Sequence, residues 1–137
     1  MASMDKDLKL QAAELAGGYF AAGLNCCESV IRTMLELSDT DLPDRLVDLG
    51  KYFRRGMGAG CTCGALVGGV MMLGLLKPYD DANLGRELNH KFAQEFGSTC
   101  CREIRKKQGL LCRLSNDKCR EITARTAGLV TEIWQKH

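Results

Sequence analysis

The stretch CGALVGGVMMLGLL, residues 63–76, decides how the chain is read. It is apolar on every side, the mark of a helix covered by others, not of one with a wet face. Its longest apolar run, Ala65 to Leu76, is interrupted by three glycines and is too short to span a bilayer. Working outward, apolar residues recur at helical spacing on both sides. Leu8, Ala12, Leu15 and Tyr19 form one stripe, Val30, Ile31, Met34 and Leu35 a second, and Leu42, Leu46, Leu49 and Phe53 a third. Leu84, Leu88, Phe92 and Phe96 follow, then Ile122, Thr126, Leu129 and Ile133. No segment alternates with period two, so strands are expected to be absent. The 137 residues suffice for one core, and the expectation is an all-α, compact single-domain bundle of about five or six helices around a buried apolar central helix. Residues 65–75 should be its most buried segment.

Nineteen basic residues stand against seventeen acidic ones, a net charge of +2. The densest basic cluster, REIRKK from Arg102, is broken by acidic and apolar residues. With few aromatics to stack on bases, nucleic-acid binding is not expected. The opening MASMDKDLKLQ has no apolar core region, so no secretory signal is expected, nor any membrane insertion, and the compartment reads as cytoplasmic. Residues 1–4 read as an expression remnant, an alternative start or a disordered end. In a reducing compartment, eight cysteines point to metal or redox chemistry instead of structural disulfides.

Residues 56–64, GMGAGCTCG, do not make a phosphate loop. The Lys-Ser/Thr ending is missing, no strand precedes, and the third glycine of a dinucleotide fingerprint is replaced by Cys63. Gly60, Gly64 and Gly68 lie four apart and suit close packing of a helix face. The thiols are better placed by helix starts. Asn25 with Glu28 makes a capping box that puts Cys26 in a first turn, and Thr62 would cap the central helix and put Cys63 first in it. Ser98 puts Cys101 at a third position, and Asn116 does the same for Cys119. A helix start gathers free N–H groups and the positive end of the dipole, which favour a thiolate able to bind metal or attack a disulfide. Cys26 and Cys119 also continue the apolar stripes of their own helices, so both should point inward. Four such thiols suggest one shared site. Any one of them alone reads more simply as core filler, as Cys27 does in line with Ile31 and Leu35.

CGALVG at 63–68, GLNCCESVI at 23–31, FAQEFGSTCCREI at 92–104 and DKCREITARTAGLV at 117–130 resemble the redox-active protein family named for its C, GCAxxG, C, C cysteine pattern. The resemblance covers nearly the whole chain. It implies that Cys26, Cys63, Cys101 and Cys119 are the signature cysteines, each acting as a cofactor-binding residue and metal ligand. Cys27, Cys61 and Cys100 double three of them, and Cys112 is extra. The family is typical of anaerobic bacteria and archaea. A similar cysteine domain accompanies haem in split-Soret cytochromes, where it is associated with an iron–sulfur centre. Haem attachment is not expected here, because no C-x-x-C-H is present.

Three functions from different classes follow. The first is an electron-transfer protein holding one iron–sulfur cluster through the four cysteines and serving an unidentified redox partner protein. The second is a thiol–disulfide protein in which the cysteines pair reversibly with no cofactor and the doubled ones resolve mixed disulfides. The third is a structural zinc site, ranked last because local C-x-x-C knuckles are missing. No Ser/His/Asp set suggests hydrolysis or group transfer. His90 reads as a surface residue, His137 is terminal, Asp80 and Asp81 read as helix-start charges, and Trp134 as core or interface. The glycine face and the apolar central helix are compatible with a homodimer.

Overall fold

A computed structural model describes residues 2–79, 82–107 and 117–137, with the side chains of 2–6 left out. The expected roles of Asp80, Asp81, Cys112 and Asn116 lie outside the described residues. Six α-helices are present among the described residues: α1 (Ala2–Ala21), α2 (Cys26–Ser38), α3 (Gly64–Leu76), α4 (Leu84–Phe96), α5 (Cys101–Lys107) and α6 (Asp117–Lys136). A 3-10 helix, Asp44–Gly50, and a wide turn, Gly56–Gly60, bring the helical segments among the described residues to eight, more than the five or six expected. The all-α class stands, with no strand among the described residues and only one isolated bridge, Thr62 to Cys100.

Local chemistry sets the boundaries. The Oδ1 of Asn25 accepts from the Glu28 amide at 2.8 Å, and Glu28 accepts from the Asn25 amide at 2.9 Å, a complete capping box at the start of α2. The buried Asn25 amide group also donates to the carbonyls of Gly50 and Lys51, so the same residue fastens the incoming 3-10 helix to α2. Asn83 caps α4 through the Arg86 amide at 3.0 Å, and Gly97 ends it at φ 80°.

Helices α2, α3, α4 and α6 enclose one core, in which Ile31, Met34, Met72, Leu88, Phe92, Val130 and Ile133 are almost wholly buried. Helix α1 lies on α6 through small residues, Ala12 and Ala16 against Ala127. Thr123, Thr126 and Thr131 are buried on α6, and each hydroxyl donates to the carbonyl four residues back, which removes its polar penalty. Trp134 is half-buried against the core, as its apolar neighbours suggested.

Two expectations need correction. Helix α3 is central but not covered all round: Gly64, Ala65, Leu66, Gly68, Gly69, Met72 and Leu73 are buried, while Val70 is 39% and Leu75 42% exposed. Gly68 draws α2 onto one side and Gly69 admits Leu88 of α4 and Val130 of α6 on another, which leaves Val70 and Leu75 on the remaining strip. The third stripe is not an α-helix. Pro43 precedes a short 3-10 helix whose tighter winding turns Leu49 outward, 59% exposed, while Leu46 and Val47 reach the core.

The wide turn is left-handed. Arg55, Gly56, Met57 and Gly58 have φ of 54°, 61°, 64° and 73°, and the Gly58 amide reaches the Arg54 carbonyl at 2.9 Å. Glycine accepts this conformation freely, whereas Arg55 and Met57 are strained in it. The turn delivers the chain to Cys61–Cys63, which pair with the segment before α5: the Cys63 amide donates to the Thr99 carbonyl at 2.8 Å and the Cys101 amide to the Cys61 carbonyl.

Candidate functional site

The elements converge on a cleft of about 240 Å³. Its lining includes Cys26 from the start of α2, Cys63 from the start of α3, Cys101 from the start of α5 and Cys119 from the first turn of α6. Ile104, Ile122, Phe20 and Leu24 supply apolar walls, and Arg54, Arg55 and Arg105 the only charged groups among the described residues. Cys27, Cys61 and Cys100 do not line it. Cys27 is buried against Gly50 and Gly68, Cys61 is exposed, and the Cys100 sulfur donates to the Gly60 carbonyl at 3.0 Å. All seven described cysteines are free thiols.

The helix-start argument places the thiols well but misjudges one cap and the charges. Cys63 is itself the N-cap of α3 in place of Thr62, and α3 begins at Gly64. Ser98 accepts from the Cys100 amide at 3.0 Å, and Cys101 is the first residue of α5, not the third. Cys119 is the third residue of α6, as expected. The four thiols do not all have lowered pKa values. The Cys63 thiol donates to the Cys26 sulfur and, with the amides of Cys27 and Ala65 helping against burial, brings Cys26 down to about 7. Cys63 is correspondingly raised, first by that same bond and then by burial. Burial also raises Cys101 and Cys119, because taking a thiolate out of water outweighs what a helix start returns. Arg105 opposes the rise at both, and its guanidinium donates to the Cys119 sulfur at 3.5 Å. Arg55 opposes it at Cys119 as well. The cleft therefore holds one pair sharing a proton and two further thiols under arginine influence.

Glycines let the elements approach. A Cβ on Gly64 would lie 2.6 Å from the Phe53 carbonyl and 2.7 Å from the Cys26 sulfur, and one on Gly56 would lie 2.9 Å from the Cys101 Cβ. Reading the sequence missed the three arginines. Arg105 carried a signal, standing one helical turn after Cys101 on the same face. Arg54 and Arg55 carried none, since their position depends on the left-handed turn.

Among the described residues, an all-helical fold gathers thiols from four separate helix starts at one cleft, with neither a carboxylate nor an imidazole in its lining. The chain belongs to the family described as "Putative redox-active protein (C_GCAxxG_C_C)", which it matches over residues 24–133. No curated protein and no solved structure matches it. Among the described residues no helix is long and apolar enough to cross a membrane, and no three thiol, imidazole or carboxylate groups stand close enough to hold a single metal ion. His90 is exposed on α4 and takes no part in the cleft.

Proposed function

We propose that Cys26, Cys63, Cys101 and Cys119 bind one iron–sulfur cluster and that the protein transfers electrons through it. The observation that carries this reading is that these four thiols line a common cleft while the other described cysteines do not. The donor set fits such a group: it is all sulfur, and it rings a space instead of closing on one point, which favours a multi-atom occupant over a lone zinc ion. When bound, the cluster supplies one-electron redox chemistry. The chain's own residues hold the thiolates and exclude water with Ile104, Ile122 and Leu24. They also place the cations Arg55 and Arg105 near accumulated negative charge. The first-turn amides of α2 and α3 face the sulfurs of Cys26 and Cys63 and stabilise their charged forms. Anaerobic purification followed by iron and acid-labile sulfide assays tests the proposal. Iron and sulfide in fixed ratio to protein support it, and a colourless protein with neither element after reconstitution overturns it.

A second reading rests on the contact between Cys26 and Cys63. In it the Cys26 thiolate attacks a small-molecule disulfide, forming a mixed disulfide and releasing one thiolate. Cys63 then attacks the Cys26 sulfur, the Cys26–Cys63 bond forms, and the second thiol leaves, so two protein thiols are oxidised as one disulfide is reduced. Mass measurement after alkylation distinguishes the two readings. A Cys26–Cys63 disulfide in iron-free protein that reverses with dithiol favours this one.

A further inference from the structure

The basic residues that look scattered in the sequence are collected by the fold. Residues 51–55, KYFRR, and 101–107, CREIRKK, lie far apart in the chain but frame the same cleft: Arg54 and Arg55 line it from one side, Cys101 and Arg105 from the other. The Arg102 guanidinium ties the second segment to the wide turn that follows the first by donating to the Ala59 carbonyl at 2.9 Å. The two segments carry seven cations and one carboxylate, a net +6 in a chain whose total is +2, so the rest of the molecule is net negative. Elsewhere several cations have acidic partners. Glu132 meets Lys9 and Lys91, Glu87 meets Lys136, and Arg125 meets Glu95 and Glu121. No ion pair among the described residues engages a cation of either segment. All of these cations are exposed except Arg105, which is half-buried at the cleft. Tyr52, 81% exposed, stands among them with Lys51 over its ring.

Unpaired like charges held together raise the local potential and repel one another, a cost that an incoming negative surface removes. From this placement we infer that the mouth of the cleft is a docking surface for an acidic redox protein, which exchanges electrons with the thiol-lined centre. The inference rests on the redox reading of that centre. An acidic protein fits better than a nucleic acid because the cations surround a concave, thiol-lined opening instead of following a groove or stripe. Tyr52 is also the one strongly exposed aromatic ring among them.

The test uses the protein as purified, with three probes: an acidic plant-type ferredoxin, a cationic c-type cytochrome and a short DNA duplex. Binding is followed by calorimetry at about 0.01 M and about 0.15 M salt, between which the screening length falls from about 30 Å to about 8 Å. The expected result is ferredoxin binding that weakens about tenfold or more over that range, with none to the cytochrome. The double variant Lys51→Glu/Lys106→Glu lies outside the cleft lining and should weaken ferredoxin binding about tenfold at low salt. Its Cys26 alkylation rate and thermal midpoint should match the parent's. Equal affinity for ferredoxin and cytochrome, salt-independent binding, or tighter binding to the duplex overturns the inference. Iron and sulfide assays on the same preparation separate the two claims: ferredoxin binding by a cluster-free protein upholds the surface and removes the cluster, and cluster-loaded protein that ignores ferredoxin does the reverse.

Discussion

Cys61 and Cys63 are two positions apart and chemically identical, yet the fold gives them different surroundings. Cys63 caps α3, is 8% exposed and touches the Cys26 sulfur, while Cys61 is exposed and lies off the cleft. Cys63→Ser is therefore expected to lose nearly all bound iron and Cys61→Ser to keep most of it. Serine is close to isosteric, and thermal melts of both metal-free variants check that folding is equal. Retention in Cys63→Ser with loss in Cys61→Ser would move the centre to the other thiol. Cys26 and Cys27 form a second contrasting pair. Cys26 is brought down to about 7, so in metal-free protein its alkylation should rise through neutral pH and level off near pH 9. Burial, with the nearby Cys26 and Glu28 charges, pushes Cys27 up to about 12, so it should stay unreactive throughout. Peptide-level mass spectrometry across pH reads both, and a Cys26 midpoint near an ordinary thiol value would count against the shared proton.

Helix α3 carries the strongest prediction among the elements. Gly68 lies where an added Cβ would meet the Cys27 carbonyl at 2.8 Å, so Gly68→Ala should destabilise the protein by about 1–3 kcal/mol. Gly74, in the same helix, has nothing within 4 Å and is exposed, so Gly74→Ala should stabilise by about 0.5–1 kcal/mol. Urea unfolding of the two variants gives both signs, and a matching sign would mean that α2 and α3 do not meet at Gly68. The elements that were legible in the sequence are those fixed by local chemistry. The Asn25–Glu28 capping box, the Gly97 stop and the periodicity of α4 and α6 all depend on neighbouring residues. What was not legible depends on partners distant in sequence. Apolarity on every side of α3 could not reveal that Val70 and Leu75 stay exposed, and the Leu42–Phe53 stripe could not reveal the 3-10 winding that follows Pro43. Cys63 displaced Thr62 as the cap because its backbone is held by the Thr99 carbonyl, 36 positions away.

At the scale of the whole molecule, rigidity and chemistry are segregated. Helices α2, α3, α4 and α6 bury the largest side chains, whereas residues 51–62 join them through turns with few apolar contacts. Native-state amide exchange should be slowest in α2, the first half of α3 and the middle of α6, and faster by orders of magnitude in 51–62. Uniform protection would mean that the cleft margin is part of the core. The positioning of the four thiols was partly legible because a helix start is a local feature. Their acidity was not, because burial and the neighbouring arginines are set by the assembled molecule.

The turn at Arg55–Gly58 winds opposite to every helix around it, and among the described residues it is the one run of several consecutive residues with the geometry of its mirror image. Stereochemistry that is wrong elsewhere is right there. In protein assembled by chemical ligation, D-methionine at position 57 should relieve about 1 kcal/mol of strain and raise the thermal midpoint. D-valine at position 67, within right-handed α3, should lower it.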